Sequence, residues 1–128
     1  MATWTPRILS VLRIVSALLF MEHGLMKLFH FPIAQPGVPD PLPAMLVAAA
    51  VIEIAGGALL ALGLFTRIVA FISAGEMAVA YFIGHLPSGF WPGVNGGSEA
   101  ILYSFIFFYF VFAGAGDWSL DALRSRPD

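Results

Sequence analysis

The run LFMEHGLMKLF, residues 19–29, sets a carboxylate, an imidazole and an amine within six positions of an apolar stretch: Glu22, His23 and Lys27. Groups of these types exchange protons, hold anions or hydrogen-bond a polar headgroup. His23 and Lys27 stand four apart and share a helix face, whereas Glu22 lies about 100° round the helix from His23. The same mixture recurs downstream. Glu53 is followed by Gly56 and Gly57, which let a neighbouring helix approach closely. Tyr81 and His85 are four apart, as are Glu99 and Tyr103, so each pair shares a face. Glu76 lies in the same apolar segment as Tyr81 and His85.

These groups sit in a chain of 128 residues that is 59% hydrophobic and 11% charged. A soluble domain averages about 45–50% apolar and about 25% charged residues. So few charges cannot clothe a soluble body, and the chain reads as one transmembrane domain over residues 1–128, in contact with membrane lipid. The net charge of −2 offers no surface for nucleic acid. The absence of cysteine excludes disulfides, thiolate ligands and thiol redox chemistry in this chain. Any redox role therefore rests on a bound cofactor, a bound substrate or a partner protein.

Crossing about 30 Å of hydrocarbon takes about 20 mostly apolar residues. Four segments meet that need, at roughly 8–31, 43–64, 67–86 and 97–116. Arg7 and Arg13 precede or open the first as in a signal peptide, but no small-residue cleavage site follows, so a retained helix is expected. The connector FPIAQPGVPDPLP carries five prolines and cannot be helical throughout. LPSGFWPGVNGG breaks the chain again, and Phe65-Thr66 makes a tight hairpin between the second and third segments. The polar tail 117–128 reads as a short surface helix with Ser119 as N-cap.

Arg7, Arg13, Arg67, Arg124 and Arg126 flank one side of these spans, and Lys27 the other. The positive-inside bias then places both termini in the cytoplasm and the two proline-containing loops outside. Trp4, Trp91 and Trp118 fall near span ends, as interfacial aromatics do. The expected fold is all-α, a transmembrane four-helix bundle in the cell inner membrane. Short helices bury little on their own, so a homo-oligomer also fits.

Depth follows from orientation. His23, Lys27, His85 and Glu99 share the outer third, with Glu22, Glu53 and Glu76 below or beside them and Arg13 in the inner half. Ionisable groups at such depth face the bundle interior and mark function. The expected ligand-binding set, in a polar cavity open to the outside, is His23, Lys27, Glu53, Tyr81, His85, Glu99 and Tyr103. Arg13, Glu22, Glu76 and Arg67 are expected as buried polar groups that pair. Glu76 and His85, nine residues apart, face apart on a straight helix, which makes Arg13 or Arg67 the expected partner of Glu76.

Plainer roles stand beside these. Lys27 snorkels to the headgroups, Glu99 satisfies a helix dipole capped by Ser98 or Asn95, and His85 and His30 meet interfacial water. The aromatics from Tyr103 to Phe112 mostly face lipid, and part of the set forms a flat wall for a ring. No Glu-x-x-His pair is present, so no metal site is assigned, and haem held by His23 and His85 ranks below a quinone.

The segments RIVSALLFMEHGLMKLF, EIAGGALLALGLFTR, HLP, SEAILY and GAGDWSLD, in this order, resemble the DoxX family of small four-helix membrane proteins. The likeness rests on Arg13, His23, Gly24, Lys27, Glu53, Gly57, Gly63, Arg67, Glu99, Gly114, Gly116, Ser119 and Asp121. His85 matches more loosely, and Glu22 and Glu76 fall outside the pattern. The resemblance implies an inner-membrane protein associated with redox systems. One branch of the family is linked to quinone-coupled thiosulfate oxidation and another to a membrane oxidoreductase complex. The leading expectation is a quinone-binding subunit that works with redox partner proteins. A non-enzymatic carrier, assembly factor or chaperone is the alternative, and a proton-coupled transporter built on Glu53 and Glu76 the third.

Overall fold

A computed structural model describes residues 1–125 of the chain. Arg126, counted above in the basic flank, lies outside the described residues. The elements are α1 (Thr5–Phe29), α2 (Ala44–Leu62), α3 (Thr66–Ala80), a short α4 (Pro92–Asn95), α5 (Ser98–Ala113) and α6 (Leu120–Arg124), with no strand among the described residues.

Local chemistry sets the helix ends. Pro6 opens α1, where its missing N–H costs nothing. Past α2, the Gly63 N–H reaches Leu60 O at 3.1 Å and the Leu64 N–H reaches Leu59 O at 2.9 Å, closing a Schellman motif on a left-handed glycine. Phe65 is left-handed as well (φ 53°), and these two residues complete the expected hairpin. Ser119 caps α6 as expected, accepting the Ala122 N–H at 3.0 Å.

The third segment departs from a plain helix. α3 passes at Tyr81 into a single π-turn, Tyr81–His85, followed by a 3₁₀ turn, Leu86–Ser88. The continuous stretch Thr66–Ser88, α1 and α2 are each long and apolar enough to cross a membrane. α5 is apolar but has 16 residues, about 24 Å at about 1.5 Å per residue. It ends short of the expected 116 because the chain turns at Gly114 (φ 77°).

α1 packs along α2, α3 along α5, and α2 joins the pairs through α3; α1 and α5 meet through their aromatic side chains. Small residues bring α1 and α2 together: a Cβ on Gly57 would come within 2.6 Å of Met21 Cβ, and one on Gly24 within 2.7 Å of Ile54. Tyr103, Phe107 and Phe110 form the inward stripe of α5, and Phe20 of α1 meets Phe107 edge-on at 4.8 Å. Phe105, Phe108, Tyr109 and Phe112 point outward.

Candidate functional site

The ionisable side chains separate into two kinds of environment. At the end where α1 begins and α5 finishes, charged groups take up backbone atoms. Arg13 is fully buried. Its guanidinium donates to Leu60 O at 2.8 Å, to Trp118 O at 2.7 Å, to Ala61 O at 3.4 Å and to Ala115 O. Leu60 and Ala61 belong to the last turn of α2, whose carbonyls have no partner inside the helix. Arg67 serves the last turn of α5 in the same way, through Val111 O at 2.9 Å and Phe112 O at 2.5 Å. Neither arginine pairs with Glu76: both guanidiniums are drawn to carbonyls at helix C-termini, where partial negative charge concentrates.

Asp121 completes this end from the tail. Its carboxylate accepts the N–H of Phe65 at 2.9 Å and of Thr66 at 3.0 Å. Burial pushes the carboxyl up, but the hydrogen bonds from Thr66 and Phe65 outweigh it and hold Asp121 below the usual carboxylate range.

At the opposite end the side chains meet one another. Lys27 Nζ lies 2.8 Å from Glu53 Oε1, and the two side chains are only 10% and 1% exposed. Lys27 therefore turns inward rather than snorkelling to headgroups. His23 Nε2–H donates to Glu99 Oε1 at 3.0 Å, and the Tyr103 hydroxyl donates to the same oxygen at 3.1 Å. The His23 and Tyr103 rings stand edge-on, 6.0 Å apart. Here His23 is 29% and Glu99 59% exposed, so the trio opens at the seam between α1 and α5. Glu22 is exposed, and its charge bears on Tyr103.

Tyr81 and His85 belong to a different cluster, built on Asn95. His85 Nδ1–H donates to Asn95 O at 3.1 Å. The Asn95 amide donates to the Tyr81 hydroxyl at 3.2 Å and to Gly89 O at 2.9 Å, while its Oδ1 accepts the Gly97 N–H. Tyr81 and His85 stack with ring centroids 6.4 Å apart, an alignment set by the π-turn. No hydrogen bond links this cluster to His23, Lys27, Glu53 or Glu99 among the described residues. The two histidines thus serve separate networks. Asn95 organises the loop between α3 and α5 to an extent that the sequence signals only through its Asn-Gly-Gly turn. The N-terminus of α5 has no side-chain cap from Ser98. No group of three His, Asp or Glu converges as a metal site among the described residues.

Long apolar helices with polar groups turned inward define a multi-pass membrane protein. The chain belongs to the DoxX family: the DoxX family model matches residues 8–86, from α1 through the π-turn. It is also similar to an uncharacterized protein of Haemophilus influenzae, 50% identical over 125 residues that cover 92% of this chain and 91% of that protein. No solved structure matches.

Proposed function

We propose that this protein binds a quinone headgroup, or a similar amphipathic ring, at the seam between α1 and α5 in the cell inner membrane. The observation that carries the reading is the connected trio His23, Glu99 and Tyr103, with His23 and Glu99 partly exposed between α1 and α5 and Tyr103 buried behind them. A ligand with an apolar tail could enter such a seam from the lipid while its polar head meets the trio. His23 and Tyr103 would donate hydrogen bonds to its oxygens, Glu99 would exchange a proton with it, and Lys27 with Glu53 would set the charge behind it. Electrons would come from a partner redox protein, since the chain has no cysteine.

Both termini are assigned to the cytoplasm. Arg7, Arg13, Arg67 and Arg124 gather at the end where α1 begins, while Lys27 at the other end is consumed in an ion pair. The seam site then lies in the outer half of the membrane. A carrier or assembly factor would use the same seam without redox chemistry.

The test is extraction of small molecules from protein purified in mild detergent, followed by add-back of a short-chain ubiquinone. Retained or rebound quinone that is lost in His23→Ala supports the reading. Folded protein that neither carries nor rebinds quinone overturns it.

A further inference from the structure

Behind the seam, the α2–α3 interface holds a second constellation. Glu53 Oε1 accepts from Lys27, but Glu53 Oε2 is buried with no donor. Glu76 enters from α3 with both carboxyl oxygens buried and without a donor. The two carboxyls lie within hydrogen-bonding reach of each other. Three acid oxygens therefore meet in a buried site with no N–H or O–H supplied to them among the described residues.

Two ionised carboxylates at this range repel strongly in a low-dielectric interior. The titratable groups around them come from two helices, α1 and α5. α1 contributes Lys27, whose ammonium neutralises one carboxylate. α5 contributes Tyr103, but its hydroxyl proton is given to Glu99, whose same oxygen already holds His23. Glu22 bears on Tyr103 and brings no cation. Buried polar atoms are nearly always hydrogen-bonded, and an unmet one is costly. A single proton resolves the deficit. It turns one carboxyl into a donor and the other into its acceptor, and leaves ammonium, carboxylate and carboxylic acid with no net charge.

We propose that Glu53 and Glu76 hold one proton between them at neutral pH, forming a proton-binding site that α2 and α3 share. The site stands whether or not the seam binds a quinone. Its occupant is a proton rather than a ligand headgroup, and Glu76 is its second arm.

The test is infrared spectroscopy of the full chain in lipid bilayers at neutral pH, in H2O and D2O. A carboxylic-acid carbonyl band that shifts in D2O is expected in the wild type. It should vanish in Glu76→Gln and persist in Glu99→Gln and Glu22→Gln. Glu76→Gln should fold normally, because its amide supplies the donor that the proton supplied. Its thermal midpoint should stay level as pH rises above neutral, while that of the wild type falls. No acid band in the wild type, a band that survives in Glu76→Gln, or a Glu76→Gln chain that fails to fold would each overturn the proposal. Quinone is absent from every arm, so the result is independent of the seam reading.

Discussion

Lys27 and Glu53, 26 residues apart, form an ion pair of 2.8 Å with both side chains almost wholly removed from the surface. Such a pair contributes little over well-packed apolar groups, yet removing one partner strands a buried charge. Lys27→Met should therefore lower stability by about 3–5 kcal/mol, and the double variant Lys27→Met/Glu53→Gln should recover much of that loss. Unfolding in detergent, followed by circular dichroism, measures both. A double variant no more stable than Lys27→Met would show that the loss is not electrostatic.

Glu99 has the opposite character, because more than half of its side chain is exposed. Glu99→Gln should change folding stability by no more than about 0.5 kcal/mol. Losing a charged acceptor should weaken quinone binding about tenfold, or about 1.4 kcal/mol. Titration of a short-chain ubiquinone against both proteins checks this. Equal affinities would remove Glu99 from the site.

Asp121 sets a dependence on pH. Its folded carboxyl is held below the ordinary value of 3.8, so its stabilising effect is fully present above that range and fades as pH falls through the folded value. Asp121→Asn should flatten the fall in stability below about pH 5. Thermal midpoints across that window give the answer, and an unchanged slope would point to other carboxyls.

Two helical glycines make a matched comparison. A Cβ at Gly57 would strike Met21 and come within 3.0 Å of Ala17 O, whereas one at Gly75 would meet nothing within 4 Å. Gly57→Ala should cost about 1–3 kcal/mol by forcing α1 off α2. Gly75→Ala should gain up to about 1 kcal/mol from helix propensity. The same unfolding assay ranks the two, and equal effects would mean that the α1–α2 contact is looser than described.

The helices were readable from the sequence because long apolar runs, broken by proline and glycine, leave few other folds. His23 and Lys27, expected on one face, reach different helices: Glu99 of α5 and Glu53 of α2. Partners across helices were harder to read. Pairing Lys27 with Glu53, or Glu99 with His23, depends on helix register, which no local pattern carries. Arg13 and Arg67 misled for a physical reason: a sequence displays carboxylates as acceptors but hides the carbonyls freed at helix ends. The π-turn at Tyr81 was hidden too, and it turns His85 toward Asn95.

The bonds of Arg13 also impose an order on biogenesis. This cation enters the membrane with the first helix, yet one of its acceptors, Ala115 O, is made 102 residues later. At about 5–20 residues per second that gap lasts roughly 5–20 s. Leu60 O and Ala61 O reach the guanidinium first, 47 and 48 residues after Arg13, and its acceptors on the tail come last. The acceptor set of Arg13 is complete only once residues 115 and 118 have been made, so this end of the fold is closed from the tail.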